Sequence, residues 1–420
     1  MHSLQPSAAK DRTPAPAMVD YEHALRILSA LVTTLPAPDI EHVPVHQADG
    51  RILATALQAL APRPEADISA MDGYAFCCAD IADTGLATST IPLRDYVVAG
   101  DQPTPHHRGT AATILTGARL PAGADCVIAR ERVEVRNGLL HLAPSDIAVG
   151  KNIRQTGEEF AAGSPLLTAS QKLDWRHIAL LVSQNITQVP VYKPCRVGVI
   201  ASGAEFAQSA PDSRAEINTP LLHAMLTRQG AHVTSRVVCS DSREDLLAVI
   251  SELAEQSDIL LTTGGISVGQ TDNVLPVMEQ LGASCLFRRV KIRPGKPFTL
   301  MQLGSVPVFC LPGNPGATAI CAQVFVLPFL RSFMEHRQAL MSFPVLHGRS
   351  SFSHPSLSDA TGFVPVTCAQ SGMETVFSLV PSKGASDILC FSRADGLLLI
   401  PPGQAITIGD WCSATRFCSI

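Results

Sequence analysis

Between Pro194 and about Phe333 the chain passes three times from an apolar run into a flexible turn, and this constrains the fold more than any other feature. Arg196 to Ala201 exits into Ser202 and Gly203, and Asp258 to Leu261 exits into Thr262, Thr263, Gly264 and Gly265. Val306 to Leu311 exits into Pro312, Gly313, Asn314 and Pro315. Short apolar runs bounded by glycine and proline read as buried strands, and strands alternating with helices read as an open α/β sheet. Thr219 as N-cap with Pro220 announces one helix, stopped at Gly230. Ser242, with Glu244 and Asp245 in the first turn, announces a second, and an apolar helix from Ala317 to about Phe333 follows the third strand. Open α/β sheets hold ligands at the carboxyl ends of their strands. The three exits are therefore expected on one rim.

The flanks read differently. Ala24, Leu25, Ile27, Leu28 and Leu31 follow a helical period that Pro36 and Pro38 end, and a second helical pattern surrounds Trp175 to Leu181. Between Asp67 and Pro144 lie short runs such as Ala112 to Leu115 and Cys126 to Ile128, separated by turn residues, so a β-rich section is inserted between two parts of one elongated domain. Beyond His336 short strands return, at Leu397 to Ile400 and Ile406 to Arg416. A chain of 420 residues accommodates about two to four cores. The expected division is 1–19 leader, 20–60 with 151–193 elongated helical linker domain, 61–150 β-rich insertion, 194–335 α/β domain and 336–420 C-terminal β domain. The fold class is α/β plus β, multidomain.

Composition excludes several function classes. With 46% hydrophobic and 16% charged residues the chain is globular, and a net charge of −5 lacks the excess of a general nucleic-acid binder. No apolar stretch is read as approaching the roughly 18 residues of a bilayer span, because the run from Val324 to Leu330 is interrupted by Pro328. The leader has no apolar core of the signal-peptide kind, and a cytoplasmic location without membrane attachment is expected. Twelve cysteines without any C-x-x-C argue against zinc, iron–sulfur and disulfide frameworks. They read as reduced, mostly buried thiols.

One dense basic run, Arg288, Arg289, Val290, Lys291, Ile292, Arg293, Pro294, Gly295, Lys296 and Pro297, stands out in an acidic chain. Arginine offers bidentate hydrogen bonds to oxyanions and lysine a compact charge, while Pro294 and Gly295 turn the chain. A solvated basic turn fits the same residues. The loop TTGGISVGQTD, Thr262 to Asp272, frees backbone N–H groups at Gly264, Gly265 and Gly269 to approach a phosphate or pterin, although a strand-to-helix turn needs glycine anyway. Asp72, Glu159, Glu205, Asp241 and Asp272 lie beside turns; carboxylates near a phosphate call for a cation between them, and Mg2+ suits that role. Taken singly, each acid also fits a helix cap or a surface ion pair.

The ordered set SAMDGYAF (Ser69 to Phe76), LTGARLPAGAD (Leu115 to Asp125), NIRQTGEEFAAG (Asn152 to Gly163), TTGGISVGQTDN (Thr262 to Asn273), RPGKP (Arg293 to Pro297) and LPGNP (Leu311 to Pro315) resembles the molybdopterin molybdenumtransferase family from about Gly50 to Pro401. The resemblance implies a doubly wound, MogA-like α/β domain that binds molybdopterin and a small C-terminal β-barrel. It implies an enzyme of molybdenum cofactor biosynthesis that inserts molybdate into adenylylated molybdopterin, with Mg2+ and release of AMP. It also implies a homodimer, with a molybdopterin adenylyltransferase and cofactor-accepting enzymes as possible partners.

Residue by residue, the resemblance puts Asp72 and Thr116 in the inserted domain that closes over the partner subunit's site, and Arg154 and Glu159 in the NIR…GE motif. Glu205, Asp241 and Asp272 become the metal candidates, and Arg289, Arg293 and Lys296 hold phosphate or molybdate oxygens. Thr263, Gly264, Gly265, Ser267, Gly269, Pro312, Gly313 and Asn314 line the cofactor site, with Ser386 reaching in from the C-terminal domain. The chain departs from the pattern at Glu159, where the family has Asp, and at Arg289 and Arg293, where it has Lys. Ala204 and Gln270 replace acids, and Gly362 to Val366 lacks an arginine. These departures keep open a non-catalytic molybdopterin-binding or scaffold protein; an adenylyltransferase or nucleotide amidase sharing the α/β domain is a third reading.

Overall fold

The computed structural model describes residues 18–82, 89–143, 145, 147–203, 206, 215–240, 242–265, 273–340, 345–357 and 359–417. The chain forms two compact units: Met1–Val43, Gly50–Ala54 and Pro190–Ile420 make the first, and Pro44–Asp49 with Thr55–Val189 make the second.

The first unit is built on a six-stranded sheet of β1 (Arg196–Ser202), β2 (His232–Val238), β3 (Ile259–Thr263), β4 (Ser284–Arg288), β5 (Thr299–Leu303) and β6 (Val306–Leu311). Its order is β2-β1-β3-β6-β5-β4; the first four are parallel, and β5 runs antiparallel to both its neighbours, β6 and β4. Ala201 pairs with Thr263 and Thr263 with Leu311, so the three predicted strand exits do lie level on one rim. Side chains alternate across the sheet as the pleat requires. Val199, Ile259, Leu261 and Phe309 belong to one buried cluster, and Ile200, Leu260, Val308 and Cys310 to another. Both faces are covered by helices, which is the doubly wound arrangement.

α1 (Tyr21–Thr34) begins where Asp20 accepts the His23 N–H at 2.7 Å, and it buries Ala24, Leu28, Leu31 and Val32. α2 (Asn218–Thr227) departs from expectation: Thr219 lies inside it, and the Glu216 carboxylate accepts the N–H groups of Asn218 (2.7 Å) and Thr219 (2.9 Å) as well as the Thr219 hydroxyl. Glutamate reaches the first-turn donors that a threonine cap leaves over. α3 (Arg243–Gln256) is capped by Ser242 as predicted, and α4 (Val274–Gln280) is short.

The helix after β6 falls where the sequence places it, but its apolar stretch is longer than the reading of an interruption at Pro328 allows. It is one apolar helix, α5 (Pro315–Met334), of 20 residues, containing a π-turn at Ala322–Val326. Pro328 does not break it, because Pro328 sits in the first turn after the π segment, where freed backbone groups are tolerated. By length and composition α5 could cross a membrane, but 89% of its apolar window is buried inside the protein. It is a core helix. Phe325 of α5 stacks on Phe298 (ring centres 4.6 Å apart, planes at 19°), and Phe298 in turn meets Phe287 edge-on at 5.5 Å.

β7 (Val345–Ser350), β8 (Thr361–Ser371), β9 (Glu374–Leu379), β10 (Gly396–Ile400) and β11 (Trp411–Arg416) close in the order β8-β9-β7-β11-β10, with β8 pairing β10 to complete the ring. Closure removes the free edges of a small sheet. Ile292 and Arg293, in the basic run, pair with Thr361 and Gly362 of β8 and so tie the α/β layer to this barrel.

The second unit carries another six-stranded sheet, ordered Cys126–Ala129, Gly73–Phe76, Ala111–Ile114, Ser89–Val97, Leu139–Leu142 and Glu134–Arg136. Gly73 explains itself: a Cβ there would sit 2.0 Å from the Ile128 carbonyl oxygen of the neighbouring strand. The helix Trp175–Val182 opens with a capping box between Asp174 and His177. The α/β plus β class is the class observed, and the described cysteines are free thiols, with Cys126, Cys195, Cys310, Cys321, Cys390 and Cys412 buried. Burial pushes the Cys310 thiol up to about 12.

Candidate active site

A cleft of about 540 Å3 opens at the carboxyl ends of β1, β3 and β6. Its rim comprises Ser202, Thr263, Gly264, Gly265, Pro312, Gly313 and Asn314, with Phe206, Ile217, Pro297 and Ser386 as further walls. The β3–β6 ladder ends at the Thr263–Leu311 pair, and two turns continue beyond it. Gly264 (φ +84°) and Gly265 (φ +63°) adopt backbone that side chains rarely take. A Cβ at Gly264 would stand 2.9 Å from the Ser202 carbonyl oxygen, and one at Gly265 2.7 Å from Val274 Cγ2. The turns also approach each other, since a Cβ on Gly313 would lie 3.5 Å from Gly264 Cα.

Neutral hydrogen bonds hold this rim. Asn218 Nδ2 donates to Thr263 Oγ1 (2.7 Å) and to the Gly313 carbonyl (2.8 Å). Thr263 Oγ1 and Thr318 Oγ1 both donate to the Pro312 carbonyl, at 3.3 and 2.5 Å. The Asn314 side chain does not cap α5; its Oδ1 accepts the Ser386 hydroxyl at 3.0 Å, and Gly316 N–H donates to Ala385 O at 2.9 Å. A loop before α6 (Ile388–Arg393) is thereby pinned to the α5 start.

Of the residues singled out in the sequence, Thr263, Gly264, Gly265, Pro312, Gly313, Asn314 and Ser386 come together in this cleft. Lys296 is exposed and adjoins it through Pro297. Arg293 lines a second cavity of about 460 Å3, with Ile320, Phe363, Val380 and Ser382 among its walls. Arg289 is exposed at φ +71°, its N–H donating to Phe298 O and its carbonyl accepting the Val19 N–H. Among the described residues Arg288, Arg289, Lys291, Arg293 and Lys296 pair with no carboxylate. Glu205, Asp241, Ser267, Gly269 and Asp272 lie outside the described residues.

Two further pairs form within the second unit. Thr116 donates to Asp72 Oδ1 through both its backbone N–H and its hydroxyl, each at 2.7 Å, and these bonds hold the Asp72 carboxyl below its usual range. Arg154 Nη2 meets Glu159 Oε1 at 2.5 Å and Arg63 Nε meets Glu159 Oε2 at 2.9 Å, beside a cavity of about 220 Å3. The bond from Arg154, with the charge of Arg63, lowers the Glu159 pKa.

Sequence reasoning missed Asn218, Glu216 and Arg63. The polar pair Glu216 and Asn218 just ahead of Pro220 carried a local signal; Arg63, 96 positions from Glu159, carried none.

Comparison with known proteins bears on this geometry. Residues 19–184 match a family model described as the MoeA N-terminal region (domain I and II), and residues 198–332 match one described as a probable molybdopterin binding domain. A molybdopterin molybdenumtransferase of Synechococcus elongatus is 33% identical over 324 residues, covering 74% of this chain and 80% of that protein. One from Bacillus subtilis is 28% identical over 380 residues, covering 87% and 86%. The crystal structure of a molybdopterin biosynthesis MoeA protein from Pyrococcus horikoshii superposes with a TM-score of 0.82 at 26% identity, covering 96% of this chain and all of that one. The chain belongs to the molybdopterin molybdenumtransferase family, and with it to the transferases of molybdenum cofactor biosynthesis.

Proposed function

We propose that this protein, as a homodimer in the cytoplasm, inserts molybdenum from molybdate into the dithiolene of adenylylated molybdopterin and releases AMP in a Mg2+-dependent reaction. The observation that carries the reading is the strand-end cleft, where two glycine turns leave backbone groups open to a large, flat, phosphate-bearing ligand. Pro297, Pro312, Phe206 and Ile217 supply apolar walls for a ring system. Positive charge beside the cleft comes from Lys296, which is exposed, adjoins it through Pro297 and is engaged by no described carboxylate. Catalysis on this reading is chiefly positioning and charge stabilisation.

Mg2+, when bound, offsets phosphate charge. Among the described residues no cluster of three or more His, Cys, Asp or Glu fits a metal ion, and Glu216, the described carboxylate lining the cleft, is engaged at the α2 start. The proposed ligands remain Glu205, Asp241 and Asp272. A molybdopterin adenylyltransferase is the proposed source of substrate, and cofactor-accepting enzymes the destination of product.

The engagement of Glu159 by both Arg154 and Arg63 favours a second reading, a protein that binds molybdopterin without turning it over. One experiment separates the two. Purified protein is mixed with adenylylated molybdopterin, molybdate and Mg2+; the enzyme releases AMP and forms active cofactor, and a chelator stops both. Retention of substrate without AMP refutes the catalytic reading in favour of binding alone.

A further inference from the structure

We infer that Asn218 is a positioning residue: it sets the spacing between the Gly264–Gly265 turn and the Gly313–Asn314 turn, and through that spacing the affinity of the cleft for its ligand. The inference rests on the reading of the cleft as the substrate site.

Backbone pairing cannot set this spacing. The β3–β6 ladder stops at Thr263 and Leu311, one residue short of Gly264 and two short of Gly313. Beyond it, the described hydrogen bonds between the turns run through side chains. Asn218 is 6% exposed and supplies both N–H donors of one amide, one to Thr263 Oγ1 and one to Gly313 O. Thr263 Oγ1 passes the link on to Pro312 O, so a closed ring joins α2, β3 and the turn after β6. The amide is itself anchored, because Glu216 Oε1 accepts the Asn218 backbone N–H at 2.7 Å.

The unpaired half of the same side chain shows what the site retains. Asn218 Oδ1 is buried and has no hydrogen-bond partner among the described residues. An unpaired buried acceptor is costly, and such costs are kept where another requirement outweighs them. The requirement here is two donors on a short side chain. Serine and threonine offer one donor each, and ionised aspartate offers none. Asparagine alone among side chains of this length places two N–H groups on two different segments.

The test measures binding of AMP and of molybdopterin separately by titration calorimetry, using the full chain and variants Asn218→Ala, Asn218→Asp, Thr263→Val and Thr263→Ser. Loss of two neutral hydrogen bonds predicts a Kd about 10- to 30-fold weaker for Asn218→Ala, and at least as weak for Asn218→Asp, whose oxygen faces the Gly313 carbonyl. Thr263→Ser keeps the hydroxyl and should bind within about twofold of the parent. The double variant Asn218→Ala/Thr263→Val should be little worse than the poorer single one, because both break one ring. A purely structural defect lowers the stoichiometry of binding and leaves Kd unchanged; that outcome, or multiplied single effects, overturns the inference. If Asn218→Ala does not fold, Thr263→Val decides alone, and unchanged affinity there overturns it. Failure of the parent to bind either probe removes the reading of the cleft and the inference with it. Binding by the parent with equal binding by the variants removes the inference only.

Discussion

The two units treat their candidate functional groups in opposite ways. In the second, charged residues are already satisfied: Asp72 by Thr116, and Glu159 by Arg154 and Arg63. In the first, the cleft is lined by glycine, hydroxyl, amide and apolar groups, with Glu216 engaged at the α2 start, while the neighbouring basic run has no carboxylate partner among the described residues. Surface ion pairs contribute about 0–1 kcal/mol and leave little net field, whereas unpaired cations keep theirs available to an anion. Charge engaged locally shapes the protein; charge left unengaged is what a phosphate-bearing ligand can meet.

That contrast can be broken by experiment, most strongly at the core beneath the cleft. Phe325 is fully buried and stacks on Phe298, next to Pro297 in the cleft wall. Phe325→Ala should cost about 3–5 kcal/mol in the first unit and leave amide exchange in the second unit unchanged. Equal loss of protection in both units would show that they unfold as one. Gly265→Ala comes next: at φ +63° and with Val274 in the way, the turn has to shift, and AMP release should fall roughly 100-fold. Normal turnover would remove that turn from the site.

Asp80 sharpens the second unit's side of the comparison. Its carboxylate accepts Gly109 N–H at 2.8 Å and meets His106 Nε2 at 2.9 Å, and these bonds, the backbone one foremost, lower its pKa. A lowered folded pKa means the stabilisation is present above the unfolded value, about 4, and is lost as pH falls through the folded one. Asp80→Asn should therefore destabilise by about 1–3 kcal/mol at pH 7, with the difference shrinking in acid. A difference independent of pH contradicts the ionised role. The smallest stability effects separate Lys296 from Arg154. Lys296→Ala should change stability by less than about 0.5 kcal/mol yet weaken AMP binding, and Arg154→Ala should let the Glu159 pKa rise, visible by NMR titration. A Lys296 variant that binds AMP normally would end the distinction between engaged and available charge.

Much of this was written locally. Asp20 and Ser242 cap their helices, and the runs before Ser202, Gly264 and Pro312 are strands in one sheet, because caps, turns and hydrophobic periods depend on residues a few positions apart. The glycines at 264 and 265 likewise announced a turn that only they can make. Tertiary structure decided what distance in sequence hides. It joined Glu159 to Arg63, gave Asn218 partners 45 and 95 positions away, moved the α2 cap from Thr219 to Glu216, and turned Arg293 toward the barrel. It also buried α5, whose composition alone suits a membrane as well as a core. Backbone preference is a property of neighbours, whereas the pairing and burial of a side chain are properties of whatever the fold brings to it.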